Sequence, residues 1–493
     1  MTRAAAAVVL LACASHAQPS FFTTRLEAHA AQPPVMLDGA FLDTFEGLGR
    51  PSPCPGVDEA KRALSSPDAG TLAGLRAGTF LQGPDGSGRY VAVTLAVETD
   101  AGVIGACLHD STIGHRTAHQ VQEHFGAWRP LDADRFIMWG SISVDAEGDF
   151  GDVLLPRVYT LENGALLIDR RATAREVARF GAAYATCKGP GCRELSFASK
   201  EFAAWAKKVD AEPRPVALTV PDALRAVTVP LELSGLRWFA PLERYVAVSD
   251  DTGLEGNKRK GAPYLFTVSA AGVVDEQPVV LAGIERVDDL ESITLGAPGS
   301  GELFAVTSHS LTKKGKARPE RRQLLRIVRS ETGVFTVTDS VDLEALGLRK
   351  LAGAQLDVEA LAWRDGALVL GLKAPLDAKG RAQLFSLDWG KKTLAPWAAF
   401  TLAVNGIKHG VTDLLFLPDG RALLLSNQPK QADMTDFGGA LWRLDATGAQ
   451  PVLVQHFPGL KPEGLSPTPD GKRLKLVFDR GPGTPWWLEV PLP

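Results

Sequence analysis

The sequence predicts a mainly β protein, with a C-terminal β-propeller of five blades, alternatively six, and a separate N-terminal α+β domain. One segment layout recurs five times in the second half of the chain, and no helical period of comparable length interrupts it. The 49 glycines and 33 prolines supply the tight turns that many short strands need. With 493 residues the chain is also too long for one ordinary core. The predicted parts are a signal peptide (1–17), a lead-in segment (18–75), an α+β domain (76–210) and the propeller (211–493).

Five similar segments predict the five blades. They begin with ELSGLRWF at Glu232, DLESITLG at Asp289, DVEALAWR at Asp357, VTDLLFLP at Val411 and PEGLSPTP at Pro462. After each comes a turn rich in Pro, Gly and Asp, a second strand, a polar loop and a third strand. Short β-branched and aromatic runs between such turns are typical of antiparallel strands, so each repeat is interpreted as one blade.

The two ends of the repeat region are predicted to pair. Four repeats have a fourth, outer strand, whereas the fifth repeat stops at Pro493 without one. The segment 214–220 resembles the outer strands, and we expect it to pair with the segment 485–491. Such a closure removes two exposed sheet edges. Six blades remain the alternative if a degenerate blade lies upstream.

The region before the repeats has a different pattern. Apolar runs at 90–96, 136–139 and 165–169 predict strands, while the segments 172–185 and 197–209 have helical spacing. This mixture predicts an α+β domain.

The first residues predict export to the periplasm or the cell exterior. Arg3 precedes an apolar run that ends at Ala12, and Ala17 is a suitable cleavage position for a signal peptide. In the alternative interpretation Leu10 to Cys13 is a lipobox, Cys13 carries a lipid anchor, and the protein is an outer-membrane lipoprotein. No other stretch approaches the roughly 18 apolar residues of a membrane-spanning helix.

The four remaining cysteines fit an oxidising compartment. Cys187 and Cys192 flank a tight turn and are the expected disulfide pair, which leaves Cys54 with Cys107. Alternatively, some of them stay reduced and buried. The net charge of −4 provides no global basic field, so nucleic acid is not an expected partner.

A ring of acidic residues is predicted at one mouth of the propeller channel. The inner strands of all blades start on the same face, so the acidic residues near those starts should converge: Glu291, Glu359, Asp413 and Glu463. The ends of the second strands should lie on that face too: Asp250, His309, Lys373, Asn427 and Asp479. Carboxylates that converge repel one another unless a cation offsets them, which suggests a Ca²⁺ site. The alternative is that these acids cap strand starts and pair with nearby Lys and Arg.

A basic loop in the second repeat is a candidate anion-binding element. It follows His309 and carries six cations: Lys313, Lys314, Lys316, Arg318, Arg321 and Arg322. Above the acidic mouth they could hold a phosphate or a carboxylated sugar. A solvated hairpin tip is the alternative interpretation.

Two function hypotheses follow. The first is an envelope protein that binds a small anionic molecule or a protein partner at the acidic mouth. The second is a metal-assisted hydrolase of a phosphoester, ester or lactone, in which His309 transfers protons and Lys373 helps to hold the anionic group. The sequence lacks the Gly-x-Ser-x-Gly elbow, the phosphate-binding loop and the dinucleotide fingerprint, which argues against serine hydrolases, nucleotide-driven enzymes and dinucleotide oxidoreductases.

Residues 214–493 also resemble a bacterial β-propeller family of unknown function. The resemblance depends on Asp289-Leu-Glu-Ser, Ser308-His-Ser, the basic run from Lys314 to Arg321, Asp357-Val-Glu-Ala and Pro462-Glu-Gly. That family is similar in its strand-start motifs to phytase-like and esterase-like propellers. Its usual Asp-x-Glu-Gly motif has Ser292 and Ala360 here in place of glycine. The resemblance implies a propeller and export, and it implies no particular reaction.

Overall fold

The computed structural model describes twenty segments of the chain. They are 52–53, 70–72, 75–82, 92–99, 102–109, 111–113, 119–131, 135–146, 149–162, 165–185, 192–228, 231–254, 261–311, 315–353, 355–404, 407–429, 438–445, 449–458, 460–480 and 484–493. These residues belong to two compact units, one N-terminal to Glu212 and one that begins at Pro213. The predicted signal peptide, the lipobox and most of the lead-in segment lie outside the described residues.

The N-terminal unit contains two antiparallel five-stranded sheets. The first has the order β1-β5-β4-β3-β2 and the second the order β10-β9-β8-β7-β6. Their strands are β1 Ser52–Pro53, β2 Gly70–Leu72, β3 Leu75–Gln82, β4 Ala92–Thr99, β5 Gly102–His109, β6 Ser111–Ile113, β7 His119–Pro130, β8 Arg135–Ala146, β9 Asp149–Glu162 and β10 Ala165–Ile168.

Two helices follow these sheets, α1 Arg170–Ala185 and α2 Cys192–Ala211. Asp169 begins α1, because its carboxylate accepts a hydrogen bond from the Ala172 amide at 2.9 Å. On α2, Phe202, Trp205 and Val209 are buried at helical spacing and form an apolar stripe. The helices lie where the spacing of the sequence predicts them.

The C-terminal unit is a five-bladed β-propeller, as predicted. Each blade is an antiparallel sheet whose strands follow one another from the axis outward. The strands are β12 Leu233–Phe239, β13 Arg244–Ser249, β14 Tyr264–Val268 and β15 Val279–Val280 in blade one; β16 Leu290–Leu295, β17 Glu302–Thr307, β18 Leu324–Arg329 and β19 Phe335–Val341 in blade two; β20 Asp357–Arg364, β21 Ala367–Ala374, β22 Ala382–Asp388 and β23 Thr393–Phe400 in blade three; β26 Gly410–Phe416, β27 Ala422–Asn427, β28 Gly438–Leu444 and β29 Val452–Pro458 in blade four; and β30 Lys461–Pro467, β31 Arg473–Asp479 and β32 Trp486–Pro491 in blade five.

Short elements complete the unit. They are β11 Val216–Ala217, the hairpin of β24 Ala403–Val404 and β25 Ile407–Lys408, and the helices α3 Asp222–Arg225 and α4 Leu348–Ala352. The ring closes as expected, because β11 is the outer strand of blade five and Val216 lies opposite Trp487. The inner strands contact their neighbours around the ring, and β30 contacts β12.

Five apolar clusters, one between each pair of adjacent blades, form the core of the propeller. Blades one and two bury Val248 and Ile293 together, and blades four and five bury Leu425 and Leu476. Buried apolar residues of two adjacent blades also form the clusters between blades two and three, three and four, and five and one. Burial of apolar surface between blades therefore fixes the five inner strands around one axis.

Two further sequence predictions concern the described residues only in part. Cys107 lies in β5 opposite Ser52, and Cys192 is the first residue of α2. Cys54 and Cys187 lie outside the described residues, so both disulfide pairings stay predictions. Of the helices that the structure describes, none is long and apolar enough to span a membrane.

Candidate functional site

The candidate site is the channel mouth at which the inner strands begin. At this end every inner strand has a β-bulge, where the pairing with the second strand skips one position, or two in blade one. Glu291, Glu359 and Glu463 occupy this bulge position in blades two, three and five. Ser234 is in the bulge of blade one. The glutamates therefore share one place in the blade, as predicted.

Asp413 does not share that place, so its predicted alignment with the glutamates is wrong by one residue. The bulge of blade four skips Thr412, and Asp413 pairs with Leu425. Asp413 corresponds to the residues that follow the bulge position in the other blades, which are Gly235, Ser292, Ala360 and Gly464. A shift of one residue turns a strand side chain to the opposite face, so Asp413 faces a different environment from the glutamates.

Asp413 instead forms a fully buried ion pair with Arg237 of blade one. The two terminal nitrogens of Arg237 each donate to a carboxylate oxygen of Asp413 at 2.8 Å. Backbone amides of Leu414 and Leu465 donate to the same carboxylate, also at 2.8 Å. Carbonyls of blades one, three, four and five accept the remaining hydrogen bonds of the guanidinium group. The pair is therefore a structural link across the ring, and Asp413 is committed to it.

A chain of alternating charges extends along the mouth. Lys461 contacts Asp479 and Glu463, each at 2.8 Å, and Lys373 lies 2.7 Å from Glu359 and 3.8 Å from Glu463. Asn427 also donates to Glu463, at 3.4 Å. Asn427 and Asp479 end their second strands and Lys373 is the last residue but one of its strand, so the sequence places all three correctly on the face of the glutamates.

Three carboxylates at one side of this chain are close enough to share an ion. Oxygens of Glu291, Asp357 and Glu359 all lie within 4.8 Å of one another. Glu359 is 4% exposed, and while its Oε1 accepts from Lys373, its Oε2 has no hydrogen-bond partner. An ionised oxygen that is buried without a donor is costly, which points to a cation or a proton at this position.

The pKa values of the mouth acids reflect the same crowding. Burial raises the pKa of Glu291, and the nearby carboxylates of Asp250 and Glu359 raise it further. Burial also raises the pKa of Glu359, against the opposing effect of Lys373. For Lys373 burial acts to lower the pKa, but the carboxylates of Glu359 and Glu463 outweigh it and raise the pKa. The lysine is therefore charged, and the acids are held together against their mutual repulsion.

His309 is the second residue whose predicted alignment is wrong by one position. Thr307 pairs with Leu290 just before the bulge, so Ser308 is the blade-two equivalent of Asp250 and Lys373. Ser308 donates to Asp289 near the mouth. The His309 ring is fully buried, with Nδ1 2.8 Å from the Thr307 carbonyl and no hydrogen-bond partner at Nε2. Its charged neighbours are Asp342, Glu344 and Arg322.

The three arginines of the basic loop pair with carboxylates of the protein itself. Arg318 and Arg321 contact Asp288 at 3.1 and 2.9 Å, and Arg322 contacts Asp342 at 2.7 Å. Arg321 also lies 3.0 Å from Asp289. These arginines are therefore not an open anion cradle over the mouth. Lys316 is exposed, while Lys313 and Lys314 lie outside the described residues, and anion binding by these three lysines stays a prediction.

Sequence reasoning missed two residues of the mouth, Asp357 and Lys461. Both lie two positions before a bulge glutamate, where Asp289 stands in blade two. Lys461 stands where blades one to three have Glu232, Asp289 and Asp357, and this lysine was the available signal for an internal counter-ion.

Comparisons with known proteins assign the chain to no family. The chain matches no family model and no curated protein. Among solved structures it is similar to a gluconolactonase from Xanthomonas campestris, with 13% identity, a TM-score of 0.32, and coverage of 58% of this chain and 96% of that one. An aldose sugar dehydrogenase from Streptomyces coelicolor has 14% identity, a TM-score of 0.31, and coverage of 57% and 98%. A mannose phosphorylase from Leishmania mexicana has 11% identity, a TM-score of 0.36, and coverage of 60% and 94%. The propeller is therefore shown by its own strand topology, and no comparison shows a particular family.

Proposed function

We propose that the propeller binds a divalent cation, foremost Ca²⁺, at its acidic mouth and through it a polar ligand or an envelope partner. The observation that carries this proposal is the approach of the Glu291, Asp357 and Glu359 oxygens to within 4.8 Å, next to the partnerless Glu359 Oε2. Ca²⁺ takes 6–8 oxygen ligands, so three carboxylates leave positions that a ligand can complete.

The surroundings of the three carboxylates support a cation rather than a further internal ion pair. Lys461 is engaged by Glu463 and Asp479, and Lys373 by Glu359 and Glu463. Of the described basic residues, none has a contact with Glu291 within ion-pair distance. A bound cation would relieve the repulsion that raises the Glu291 pKa.

Calorimetry of the full chain with Ca²⁺ tests the proposal. We expect saturable binding that falls at least about tenfold in Glu291→Gln and in Glu359→Gln, because each amide removes one charge and keeps the shape. Glu331→Gln, at an exposed residue of blade two, is the matched control and should bind as the wild type does. Equal binding by all four proteins, or no binding of Ca²⁺, Mg²⁺, Mn²⁺ or Zn²⁺ by the wild type, would contradict the proposal.

A metal-assisted hydrolase is the second candidate, and the position of Asp250 favours it. Burial raises the pKa of Asp250 well above its ordinary range, which favours the protonated carboxyl that a general acid requires. In that mechanism Asp250 takes the proton-transfer role that the sequence assigned to His309, and Lys373 helps to hold an anionic group. We expect Asp250→Asn to abolish any Ca²⁺-dependent hydrolysis of phosphoesters, esters or lactones while Ca²⁺ binding persists. If the wild type hydrolyses none of them, the binding role alone remains.

A further inference from the structure

The opposite end of the propeller channel carries a second pocket, of about 320 Å³, to which all five inner strands contribute. In each strand the residue four positions after the bulge position lines the pocket, and all five of these residues are apolar. These residues are Trp238, Leu295, Trp363, Phe416 and Pro467. The volume is at the lower end of the range for small-molecule sites, roughly 300–1,000 Å³. The repeat that builds the acidic mouth therefore builds an aromatic pocket at its other end.

Other aromatic rings hold the rings of this pocket in place. Trp363 stacks on Phe304 with centroids 5.6 Å apart, and Trp238 meets the edge of Tyr245 at 5.0 Å. Phe416 meets Trp397 edge-on at 5.7 Å. Rings that are fixed before binding lose little conformational entropy when a ligand arrives. The pocket is thus preorganised for a flat apolar surface.

Arg237 is one of the residues that line the pocket, and one nitrogen of its buried guanidinium group has no hydrogen-bond partner. Its side chain is buried and its terminal nitrogens are committed to Asp413 and backbone carbonyls, yet its Nε has no hydrogen-bond partner. A buried donor without an acceptor is costly, so an oxygen atom supplied by a ligand would be favourable. Because the carboxylate of Asp413 neutralises the guanidinium group of Arg237, an acceptor at this nitrogen does not have to be an anion.

The remaining polar groups are neutral hydroxyls. Of the described residues that line the pocket, Thr294, Ser466 and Thr468 carry hydroxyl groups, and none is acidic or a lysine. Ser466 is already held by the Trp238 amide, which donates to its Oγ at 2.8 Å. Charged ligands would lose hydration here without gaining a partner. The chemistry fits a neutral ring that has an apolar face and hydroxyl groups at its edge.

We propose that this pocket binds one neutral sugar residue of a glycan. The C–H face of the sugar packs on Trp363 or Trp238, and its oxygens accept from Arg237 Nε and bond with Thr294. A purely aromatic ligand would fill the pocket but would leave these polar groups unused. The site is separate from the acidic mouth and needs no cation.

Titration of the full chain with glucose, galactose, mannose, N-acetylglucosamine and their short oligosaccharides, followed by calorimetry, tests this site. We expect millimolar or tighter binding of at least one sugar, weakened about tenfold or more in Trp363→Leu and Trp238→Leu. Trp486→Leu, on the third strand of blade five, is the matched control and should leave affinity unchanged. Trp363→Phe keeps a ring on Phe304 and should retain part of the affinity, which separates loss of contact from loss of fold.

Three results would overturn the proposal. The first is that no sugar binds the wild type. The second is that Trp363→Leu and Trp238→Leu bind as well as Trp486→Leu does. The third is that indole or phenol binds in the pocket while no sugar does. Glu291→Gln should bind sugar normally, so failure of the cation site and failure of this site are distinguishable.

Discussion

Arg237 and Asp413 are 176 residues apart in sequence and form a buried bidentate ion pair inside the propeller ring. Both side chains are nearly inaccessible to solvent, at 3% and 0% exposure. The pair joins blade one to blade four, and its hydrogen bonds reach carbonyls of blades three and five as well. A buried charge of this kind depends on its partner, because removal of one partner leaves the other charge uncompensated.

The first prediction is that Arg237 and Asp413 are strongly coupled. Arg237→Met and Asp413→Leu should each lower the free energy of unfolding by about 3–5 kcal/mol, whereas the double variant should lose far less than the sum. Chemical denaturation of the four proteins measures the coupling. The exposed pair Lys391 and Asp388 is the control, and its replacement should change stability little. Additive losses at the buried pair would contradict this account.

The pair also shows where sequence reasoning reached its limit. The blades were predictable because apolar runs between Gly, Pro and Asp turns repeat along the chain, and because 214–220 resembles an outer strand. The acidic column was predictable for the three glutamates. The predicted positions of Asp413 and His309 were each wrong by one residue. Hydrophobic alternation identifies a strand, but the position of the bulge determines which residue is left out of the pairing and therefore which residues are equivalent between blades.

The ion pairs of the basic loop could not be predicted from the sequence for another reason. Six cations in one loop are visible in the sequence, but their partners Asp288 and Asp342 come from other segments of blade two. Only the folded blade decides whether a charge run is open to a ligand. Lys461, in contrast, can be found by alignment. Once the bulges of the blades are matched, it lies two positions before the bulge residue Glu463, where blades two and three have Asp289 and Asp357.

The second prediction concerns the pH dependence of cation stabilisation. A carboxyl whose pKa is higher in the folded state adds stability below its unfolded pKa, near 4.5, and this stability is lost as pH rises through the folded pKa. Without a cation, Glu291 and Glu359 should therefore weaken the fold as pH rises. Bound Ca²⁺ should offset this effect, so the increase in melting temperature caused by Ca²⁺ should be larger at pH 8 than at pH 5. Thermal unfolding with Ca²⁺ or with chelator measures both curves.

Glu291→Gln serves as the control for that experiment. The amide cannot titrate, so the Ca²⁺-dependent gain in melting temperature should be small and nearly independent of pH. An equal gain at both pH values in the wild type would show that protons and the cation do not compete at this mouth.

The third prediction concerns Gly410, which starts the inner strand of blade four. A Cβ at this position would lie 2.0 Å from the Lys373 carbonyl oxygen, so the backbone that carries Lys373 would have to move. Gly410→Ala should lower stability by about 1–3 kcal/mol and weaken Ca²⁺ binding through displacement of Lys373 from Glu359. Gly390→Ala is the control, because its Cβ would come no closer than 3.5 Å to any atom outside its chain neighbours. Unchanged Ca²⁺ binding in Gly410→Ala would separate Lys373 from the cation site.

The fourth prediction assigns part of the acid sensitivity of the protein to His309. Burial lowers the pKa of this histidine from 6.5 to about 4, since the ring is enclosed and its Nε2 has no partner to stabilise a proton. Its neutral form contributes stability that is fully present above pH 6.5 and is lost as pH falls toward about 4, where the unfolded chain binds a proton and the folded chain does not. The loss amounts to about 3 kcal/mol, because one pKa unit corresponds to ~1.4 kcal/mol.

Asparagine is the suitable replacement at this position, because His309 has a φ of 59° and asparagine tolerates the left-handed region better than most residues. Denaturation of His309→Asn between pH 7 and pH 4 should show a shallower fall in the free energy of unfolding than the wild type shows. Thr332→Asn, at an exposed residue of blade two whose side chain does not titrate, is the control and should leave the wild-type slope unchanged. Parallel curves for His309→Asn and the wild type would mean that the acid sensitivity arises from other residues. Glu291 and Glu359 are not such residues, because their protonation stabilises the folded mouth as pH falls and so has the opposite effect on the free energy of unfolding.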